Sequence, residues 1–343
     1  MSKKIKVAFD LGNSSLKIAA WKKGGLELHE LPMPENLIEE DNILMPHAFS
    51  AFLKKAKKDL HLPGGPAGLL LPSSKAICRL VTMPRMTVDQ LMLNLPYEFS
   101  DFIHGEPHQY YCDYALCEDE PQEPGLQEEQ DEEQLTMMAA VVQRQQIQDH
   151  IRIFSAGGFS LRRILPQEMS LIHLVQNCCR ERPEVSREFC FIDLGFLSTR
   201  IFVVHGDRIQ AARRVHIGCR DLDGVVADLF NIDPFLADTY KRGNHQGVLE
   251  HPRCMEVYEN MAVEVLKVIN FYHFTYRQKQ LEGVYLIGGG AEIAPLRRLL
   301  EETLGLPTFS VDTLIPVGEG KGQGHNATFV GAAGLLVEPE KEG

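Results

Sequence analysis

The sequence has little of several features that mark common classes of protein. It contains one tryptophan, and 47 aspartates and glutamates outnumber 35 lysines and arginines, which gives a formal net charge of −12. Nine of the acidic residues lie between Glu118 and Glu133, a stretch without a basic residue. A chain with this balance lacks the basic stripe that neutralises phosphates, which argues against a nucleic-acid partner.

Metal-binding cysteine pairs and long apolar runs are also missing. None of the eight cysteines forms a Cys-x-x-Cys pair, which disfavours a zinc knuckle or a thioredoxin-type site. No stretch approaches the roughly 18 apolar residues of a membrane span, and charges come too early for a signal-peptide core. We therefore expect a cytoplasmic protein with reduced thiols and no direct membrane insertion. Its 343 residues suffice for about two domains.

An internal repeat organises the chain. Apolar runs over residues 5–11 and 189–194 end in Asp-Leu-Gly, and each continues through a short turn into a second apolar run. At a constant offset of 183 positions, Asp10 pairs with Asp193, Gly12 with Gly195, Ser15 with Ser198, Lys17 with Arg200 and Ile18 with Ile201. Each copy predicts a strand, a tight hairpin, a strand, a turn and a strand. The long period indicates duplicated domains; the alternative is two unrelated hairpins with similar turns.

Two facing hairpins of this composition suit a phosphate-binding cleft. Glycine lets the backbone approach an anion, and successive N–H groups and serine hydroxyls cradle phosphate oxygens. Asp10 and Asp193 end the first strands and are candidates to hold the waters of Mg²⁺. Lys17 and Arg200 either face the phosphates or point to solvent. The candidate phosphate-binding residues are Asp10, Gly12, Asn13, Ser14, Ser15, Lys17, Asp193, Gly195, Ser198 and Thr199.

A glycine-rich turn extends the same candidate site. Residues 283–287 predict a buried strand, followed by Gly288, Gly289 and Gly290 and by a helix over 291–303. Such a turn permits close approach of a base or ribose at a helix N-terminus. Upstream, a helical pattern over 255–280 contains two further candidate nucleotide contacts on one face, Glu264 and Lys267. The alternative for that pair is an exposed ion pair.

Taken together, these residues resemble the phosphate 1, phosphate 2 and adenosine motifs of the actin-like ATPase superfamily. The closer resemblance is to the type IV pilus assembly protein PilM family, which is related to the cell-division protein FtsA. It extends over nearly the whole chain and includes Pro72-Ser73-Ser74, the tyrosine-rich strand at 110–116 and the stretch 214–218 after the second hairpin. That last stretch adds Gly218 to the candidate nucleotide-binding residues.

The resemblance implies an α/β, actin-like ATPase fold of two lobes with duplicated ribonuclease-H-like cores. Lobe one would comprise residues 1–185, with an inserted subdomain over about 73–155. Residues 186–324 would form lobe two, and residues 325–343 would hold a closing helix that returns to lobe one. The implied ligands are ATP and Mg²⁺, bound in the cleft between the lobes.

The resemblance also implies a partner. PilM-like proteins hold the cytoplasmic N-terminal peptide of a PilN-like inner-membrane protein against the first lobe and its inserted subdomain, so this chain would be peripheral to the inner membrane through that partner. A homo-oligomer is compatible with the resemblance. Two walls could receive the peptide by strand addition or in a groove: residues 76–81, and the helical stripe Leu91, Leu95 and Phe99. The alternative for the stripe is the core of the subdomain.

The chain departs from the family pattern at the hinge. Where the family often has an aspartate, this chain has Leu165. In-line attack on the γ-phosphate needs a polar group to orient water, so Gln167 or Glu168 would have to serve as the catalytic residue. We therefore predict ATP binding with slow or absent hydrolysis. Asn13 also stands where the family commonly has serine.

Two other functions remain open. A small-molecule kinase of the same superfamily needs a base near the cleft, for which Asp221 and Asp223 are the candidates. An FtsA-like polymer usually carries an amphipathic anchor, which the charged residues 338–343 do not resemble. The acidic stretch 118–133 is predicted to be a solvated loop, with an interaction segment as the alternative.

Overall fold

The computed structural model describes residues 4–23, 25–118, 134–183, 188–276, 281–315 and 326–337. The strands are β1 Val7–Leu11, β2 Ser15–Lys22, β3 Gly25–Pro32, β4 Ile38–Glu39, β5 Asn42–Ile43, β6 Gly65–Leu71, β7 Ala76–Pro84, β8 Tyr110–Leu116, β9 Gln134–Gln143, β10 Phe159–Pro166, β11 Glu188–Leu194, β12 Thr199–His205, β13 Arg208–Val215, β14 Val284–Ile287 and β15 Thr308–Phe309. The helices are α1 Pro46–Asp59, α2 Val88–Asn94, α3 Arg144–Ala156, α4 Gln167–Glu181, α5 Cys219–Phe230, α6 Pro234–Arg242, α7 Pro252–Thr275, α8 Ala294–Leu304 and α9 Val330–Leu336.

Two five-stranded sheets carry the repeat. The first has the order β3-β2-β1-β6-β10 and the second the order β13-β12-β11-β14-β15, so their strands follow one another in the same spatial pattern. The registers agree as well, because Asp10 lies opposite Lys17 on β1 and β2, and Asp193 lies opposite Arg200 on β11 and β12. The duplication predicted from the constant offset is confirmed. The central strands are nearly continuous apolar runs, as expected of strands covered on both faces.

The predicted inserted subdomain contains a third sheet, of order β7-β9-β8 and antiparallel throughout. It has its own core, in which Leu91 is 2% exposed and Leu95 and Phe99 are fully buried. The Thr87 hydroxyl and Gln90 cap α2 reciprocally, which fixes where that helix begins. The stripe of Leu91, Leu95 and Phe99 therefore fills the core of this subdomain, and the interpretation of it as a wall for a partner is wrong.

Helices α4 and α9 pack against each other where the two lobes meet. Helix α4 contacts β6 and β10 of the first sheet as well as β12 and β13 of the second, and α9 packs on β1, β2 and β6. All seven residues of α9 are buried. A Cβ on Gly334 would lie 2.3 Å from the Ser170 carbonyl oxygen, so glycine is required for this approach. The predicted closing helix is thus a short turn over 326–329 followed by α9.

The other predicted helices differ in detail. The pattern over 255–280 forms α7, and residues 277–280 lie outside the described residues. A 3-10 turn, Gly289–Glu292, contains two of the three glycines, and α8 begins after it at Ala294. Within the described ranges, no helix has both the length and the apolar character needed to cross a membrane. Residues 119–133 of the acidic stretch lie outside the described part of the chain, so the loop prediction stays a prediction.

Candidate functional site

A cavity of about 360 Å³ lies between the two sheets, and both hairpins face into it. The loops between β1 and β2 and between β11 and β12 form two of its walls. Other walls come from the glycine-rich turn after β14, the N-terminus of α4, the last turn of α6 and the first residues of α9. The residues predicted from sequence that line it are Asp10, Gly12, Asn13, Ser14, Ser15, Lys17, Gln167, Asp193, Gly195, Ser198, Gly288 and Gly289.

The two hairpin turns have the same local geometry. Gly12 N–H donates to the Ser15 carbonyl over 3.0 Å, and Gly195 N–H donates to the Ser198 carbonyl over 3.2 Å. A Cβ on either glycine would lie 2.9 Å from the carbonyl oxygen that its own N–H contacts. Both turns are therefore too tight for a side chain, and the N–H of each glycine is used within its own turn.

The two aspartates that end β1 and β11 differ in their partners. Asp193 is buried, and its Oδ2 accepts hydrogen bonds from Gln167 Nε2 and from Arg200 Nη2, each over 2.7 Å. Asp10 has no hydrogen-bond partner among the described residues; burial raises the pKa of its carboxyl, and the nearby Lys17 ammonium lowers it. Asp10 thus fits the waters of a Mg²⁺ ion directly. Both donors contact the same oxygen of Asp193, which leaves its Oδ1 without a donor among the described residues and compatible with the predicted metal role.

Several buried polar atoms at this end of the cavity lack partners. Gln167 Oε1, Glu168 Oε2 and Arg200 Nε have no hydrogen-bond partner among the described residues. Burial raises the pKa of Glu168 to about 7. Buried polar atoms are normally hydrogen-bonded, so Gln167 and Arg200, which line the cavity, fit a polar ligand with both donors and acceptors, such as a hydrated phosphate.

The glycine-rich turn comes directly against the second hairpin. Gly288 has a φ of +81°, and a Cβ there would lie 2.4 Å from Asp193 Oδ1. Gly290 is buried, and a Cβ on it would lie 2.7 Å from Leu194 Cβ, so it packs behind the cavity and does not line it. Glycine is required here for both conformation and space.

Other predicted site residues lie outside the cavity wall. Thr199 is buried and its hydroxyl donates to the Ile217 carbonyl over 2.9 Å. Gly218 supports the second hairpin from behind, where a Cβ would lie 2.4 Å from the Phe196 carbonyl oxygen. Glu264 and Lys267 form a 2.6 Å ion pair on the outer face of α7. This is the exposed ion pair that the sequence offered as the alternative to two nucleotide contacts. Glu168 is buried next to the cavity without lining it.

Sequence reasoning missed the last turn of α6, which also lines the cavity. Lys241 is buried there, with its Nζ 2.5 Å from Asp223 Oδ1 and 2.9 Å from Asp238 Oδ1. Arg242 Nε lies 2.7 Å from Asp238 Oδ2, and its Nη2 is 4.0 Å from Glu30 Oε1 on β3. A signal was available in the cap formed by Asp233 and Pro234, which marks the start of a helix that ends in Asp238-Thr-Tyr-Lys241-Arg242.

The two candidate bases of the kinase alternative have structural partners. Asp223 pairs with Lys241, and Asp221 Oδ2 accepts from Gly218 N–H over 2.8 Å at the start of α5. Both carboxylates therefore hold protein groups in place. Nothing in this arrangement favours either of them as a base for a bound hydroxyl.

Asp41 is a second contributor that the sequence did not reveal. It lies in the turn between β4 and β5, where its Oδ1 accepts from Asn13 Nδ2 over 2.7 Å and its N–H donates to Asn13 Oδ1 over 3.0 Å. The Ser74 hydroxyl donates to its other carboxylate oxygen. Asn13 thus fixes this turn beside the first hairpin.

A second cavity, of about 780 Å³, lies between α1, α3 and the inserted subdomain. Asp41 and Ser74 line this cavity as well as the first one. The remaining wall combines polar side chains of α3, such as Gln145 and Asp149, with the apolar residues Ile43, Pro46, Phe102, Ile153 and Ala156. The space is a groove between the first lobe and the inserted subdomain.

Comparison with known proteins identifies similar chains. A family model described as "Type IV pilus assembly protein PilM" matches residues 8–318. A solved "PilM-PilN type IV pilus biogenesis complex" contains a chain with a TM-score of 0.79 and 22% identity, the alignment covering 97% of this chain and 99% of that one. The ethanolamine utilization protein EutJ from Carboxydothermus hydrogenoformans has a TM-score of 0.58 at 14% identity and covers 98% and 90% of the two chains. No curated protein matches by sequence. The two structural similarities show the fold, which is the actin-like ATPase fold that the resemblance implies.

Proposed function

The chain belongs to the type IV pilus assembly protein PilM family, and on that premise we propose that it is an ATP-binding, actin-like scaffold of a type IV pilus assembly machine or a related secretion machine. It would bind ATP with Mg²⁺ between its lobes and dock the N-terminal peptide of a PilN-like inner-membrane protein. That partner would hold it at the cytoplasmic face of the inner membrane.

One observation carries the nucleotide part of the proposal. A single cavity is lined by both tight hairpins, by Gly288 and Gly289, and by Lys17, Lys241 and Arg242. Tight glycine-containing turns and cations suit a chain of phosphates. The last turn of α6 lines the same cavity, and Asp238 there would be a polar contact for the ribose or base. When bound, Mg²⁺ would neutralise phosphate charge, held through water by Asp10.

Hydrolysis is proposed to be slow or absent. Leu165 supplies no polar group at the hinge, and the one amide at the start of α4 that lines the cavity, Gln167, donates its N–H to Asp193. Gln167 retains an unpartnered Oε1 that could orient a water. Glu168 is neutral for much of the time at pH 7, because burial raises its pKa to about 7. The chain's own residues thus favour holding a triphosphate in a closed cleft over cleaving it.

The groove between α1, α3 and the inserted subdomain is the proposed site for the partner peptide. It lies where the first lobe and the subdomain meet, and at about 780 Å³ it is the larger of the two cavities described here. The solved chain of the same fold comes from a complex of PilM with PilN. A peptide in this groove would touch Asp41 and Ser74, which also line the nucleotide cavity.

Nucleotide binding is tested by thermal unfolding. A ligand that binds only the folded state at 100 times its Kd stabilises it by about 2.7 kcal/mol. We expect MgATP to raise the Tm of the full chain, and Asp10→Ala and Asp193→Ala to remove most of that rise. Glu264→Ala is the matched control, since this exposed carboxylate lies on α7 away from the cavity. An absence of protection in the unmodified chain, with no heat in calorimetry, would refute nucleotide binding.

Peptide docking is tested with a synthetic peptide from the cytoplasmic end of a PilN-like protein. Gln145 and Gln148 lie on α3 with exposed side chains, but only Gln145 lines the groove. We expect Gln145→Trp to abolish binding in fluorescence anisotropy, because the indole would fill the groove, and Gln148→Trp to leave it unchanged. Equal binding by both variants would place the peptide elsewhere.

A further inference from the structure

The side chain of Arg200 lies in the cleft beside the second hairpin. It lies on β12, opposite Asp193 of β11, and lines the cavity. Its Nη2 is 2.7 Å from Asp193 Oδ2, and its Nη1 donates to the Ser73 hydroxyl over 3.2 Å. The side chain is 19% exposed, so the guanidinium is held largely inside the protein between the second hairpin and the segment that leads into the inserted subdomain.

The hydrogen-bonding capacity of this guanidinium is not used up. Arginine has five N–H donors in a fixed planar arrangement and stays protonated in proteins. Arg200 Nε is buried without an acceptor among the described residues. A buried donor left unsatisfied, above all on a charged group, is unfavourable. An acceptor that enters the cavity next to Arg200 would satisfy it.

The carboxylates at this end of the cavity are negatively charged, and a cation of the protein would offset that charge. Asp10, Asp41 and Asp193 place three carboxylates here, and a triphosphate would add more negative charge. Two of the cations that line this cavity lie at equivalent positions on the hairpin strands: Lys17, opposite Asp10, and Arg200, opposite Asp193. The repeat thus provides one basic residue per hairpin, at equivalent positions 183 residues apart.

We propose that Arg200 is the phosphate-binding residue of the second hairpin, the counterpart of Lys17 in the first, and that its guanidinium contacts the terminal phosphates of the bound nucleotide. This inference rests on the proposed nucleotide-binding function. It assigns the recognition of phosphate in the second lobe to a side chain, in addition to the backbone of the hairpin. Arginine suits this role because its planar donors match phosphate oxygens in pairs.

The test is isothermal titration of the full chain with ATP, ADP and adenosine in the presence of Mg²⁺. We expect Arg200→Gln to weaken ATP binding about tenfold or more, in line with a lost hydrogen bond to a charged group, and to change adenosine binding by less than about twofold. Glutamine keeps a donor for Asp193, so this variant should stay folded. Arg200→Lys should retain part of the ATP affinity. Arg213→Ala, an exposed arginine of β13 outside the cavity, is the control.

The outcomes separate this inference from the function on which it rests. ATP binding by the unmodified chain with equal binding by Arg200→Gln would overturn the role of Arg200 and leave the proposed function intact. Equal weakening of ATP and adenosine would also overturn it, because it would show that Arg200 only holds the cleft together. No binding of any nucleotide by the unmodified chain would overturn both.

Discussion

Glu168 should make the stability of this protein fall as the pH rises. Its side chain is 4% exposed, and burial raises its pKa to about 7 from a model-peptide value of 4.5. The folded state therefore holds the proton more tightly than the unfolded state. The Glu168 carboxyl does not lower the free energy of unfolding well below pH 4.5, and it lowers that free energy by its full amount above pH 7. Each unit of pKa difference corresponds to about 1.36 kcal/mol, which makes the full penalty roughly 3 kcal/mol.

The substitution Glu168→Gln isolates this effect, because glutamine resembles the protonated carboxyl and does not titrate. The free energy of unfolding of the variant, minus that of the unmodified chain, should increase by about 2.5 kcal/mol between pH 5 and pH 8. Urea unfolding at half-unit pH intervals, followed by circular dichroism, measures this difference, and the titration of all other groups cancels in it. Glu181→Gln, at the exposed end of the same helix, is the matched control. A difference for Glu168→Gln that stays constant with pH, or that falls, would refute the reasoning.

Three further predictions concern catalysis and packing. The purified chain should release phosphate from ATP far more slowly than the roughly 10 per second typical of enzymes, and a rate near that value without a partner would contradict the assignment of a holding role. Lys241→Met should destabilise the protein by about 3–5 kcal/mol in urea unfolding, because it leaves Asp223 buried without its cation; a loss below 1 kcal/mol would show that the pair is dispensable. Leu95→Ala should cost about 2–5 kcal/mol, measured by the same method, while MgATP still protects the variant; loss of nucleotide binding in a folded variant would argue against a separate subdomain core.

The sequence predicted the duplicated part of the fold because its signals are local. Each hairpin is a short apolar strand, a glycine turn and another strand, so its structure depends on residues that are neighbours in the chain. Because the two copies match at a constant offset, the order of strands and turns predicted from one copy could be compared with that predicted from the other. The structure confirms this at the level of register, with Asp10 opposite Lys17 and Asp193 opposite Arg200.

The remainder of the site depends on contacts that no local pattern encodes. Periodicity shows which residues share a helix face, as Glu264 and Lys267 do, but not which face meets the cleft. Helix α7 turns that face to solvent, and the last turn of α6 lines the cavity instead. Asp41 lies in a two-residue turn without a motif, and its role depends on the position of Asn13 in space. For the same reason the stripe of Leu91, Leu95 and Phe99 could not be assigned to a core or to a surface before the structure was known.

The burial of α9 affects how the protein can fold while it is being synthesised. This helix, Val330–Leu336, completes the apolar environment of β1, Val7–Leu11, more than 300 positions earlier in the chain. A growing polypeptide therefore exposes the surface of β1 that α9 covers until Leu336 has left the ribosome. Contacts between such distant segments form slowly, and partly built sheets are prone to aggregation. We expect nascent chains that lack α9 to require a chaperone, and both lobes of the finished protein to unfold in a single cooperative transition.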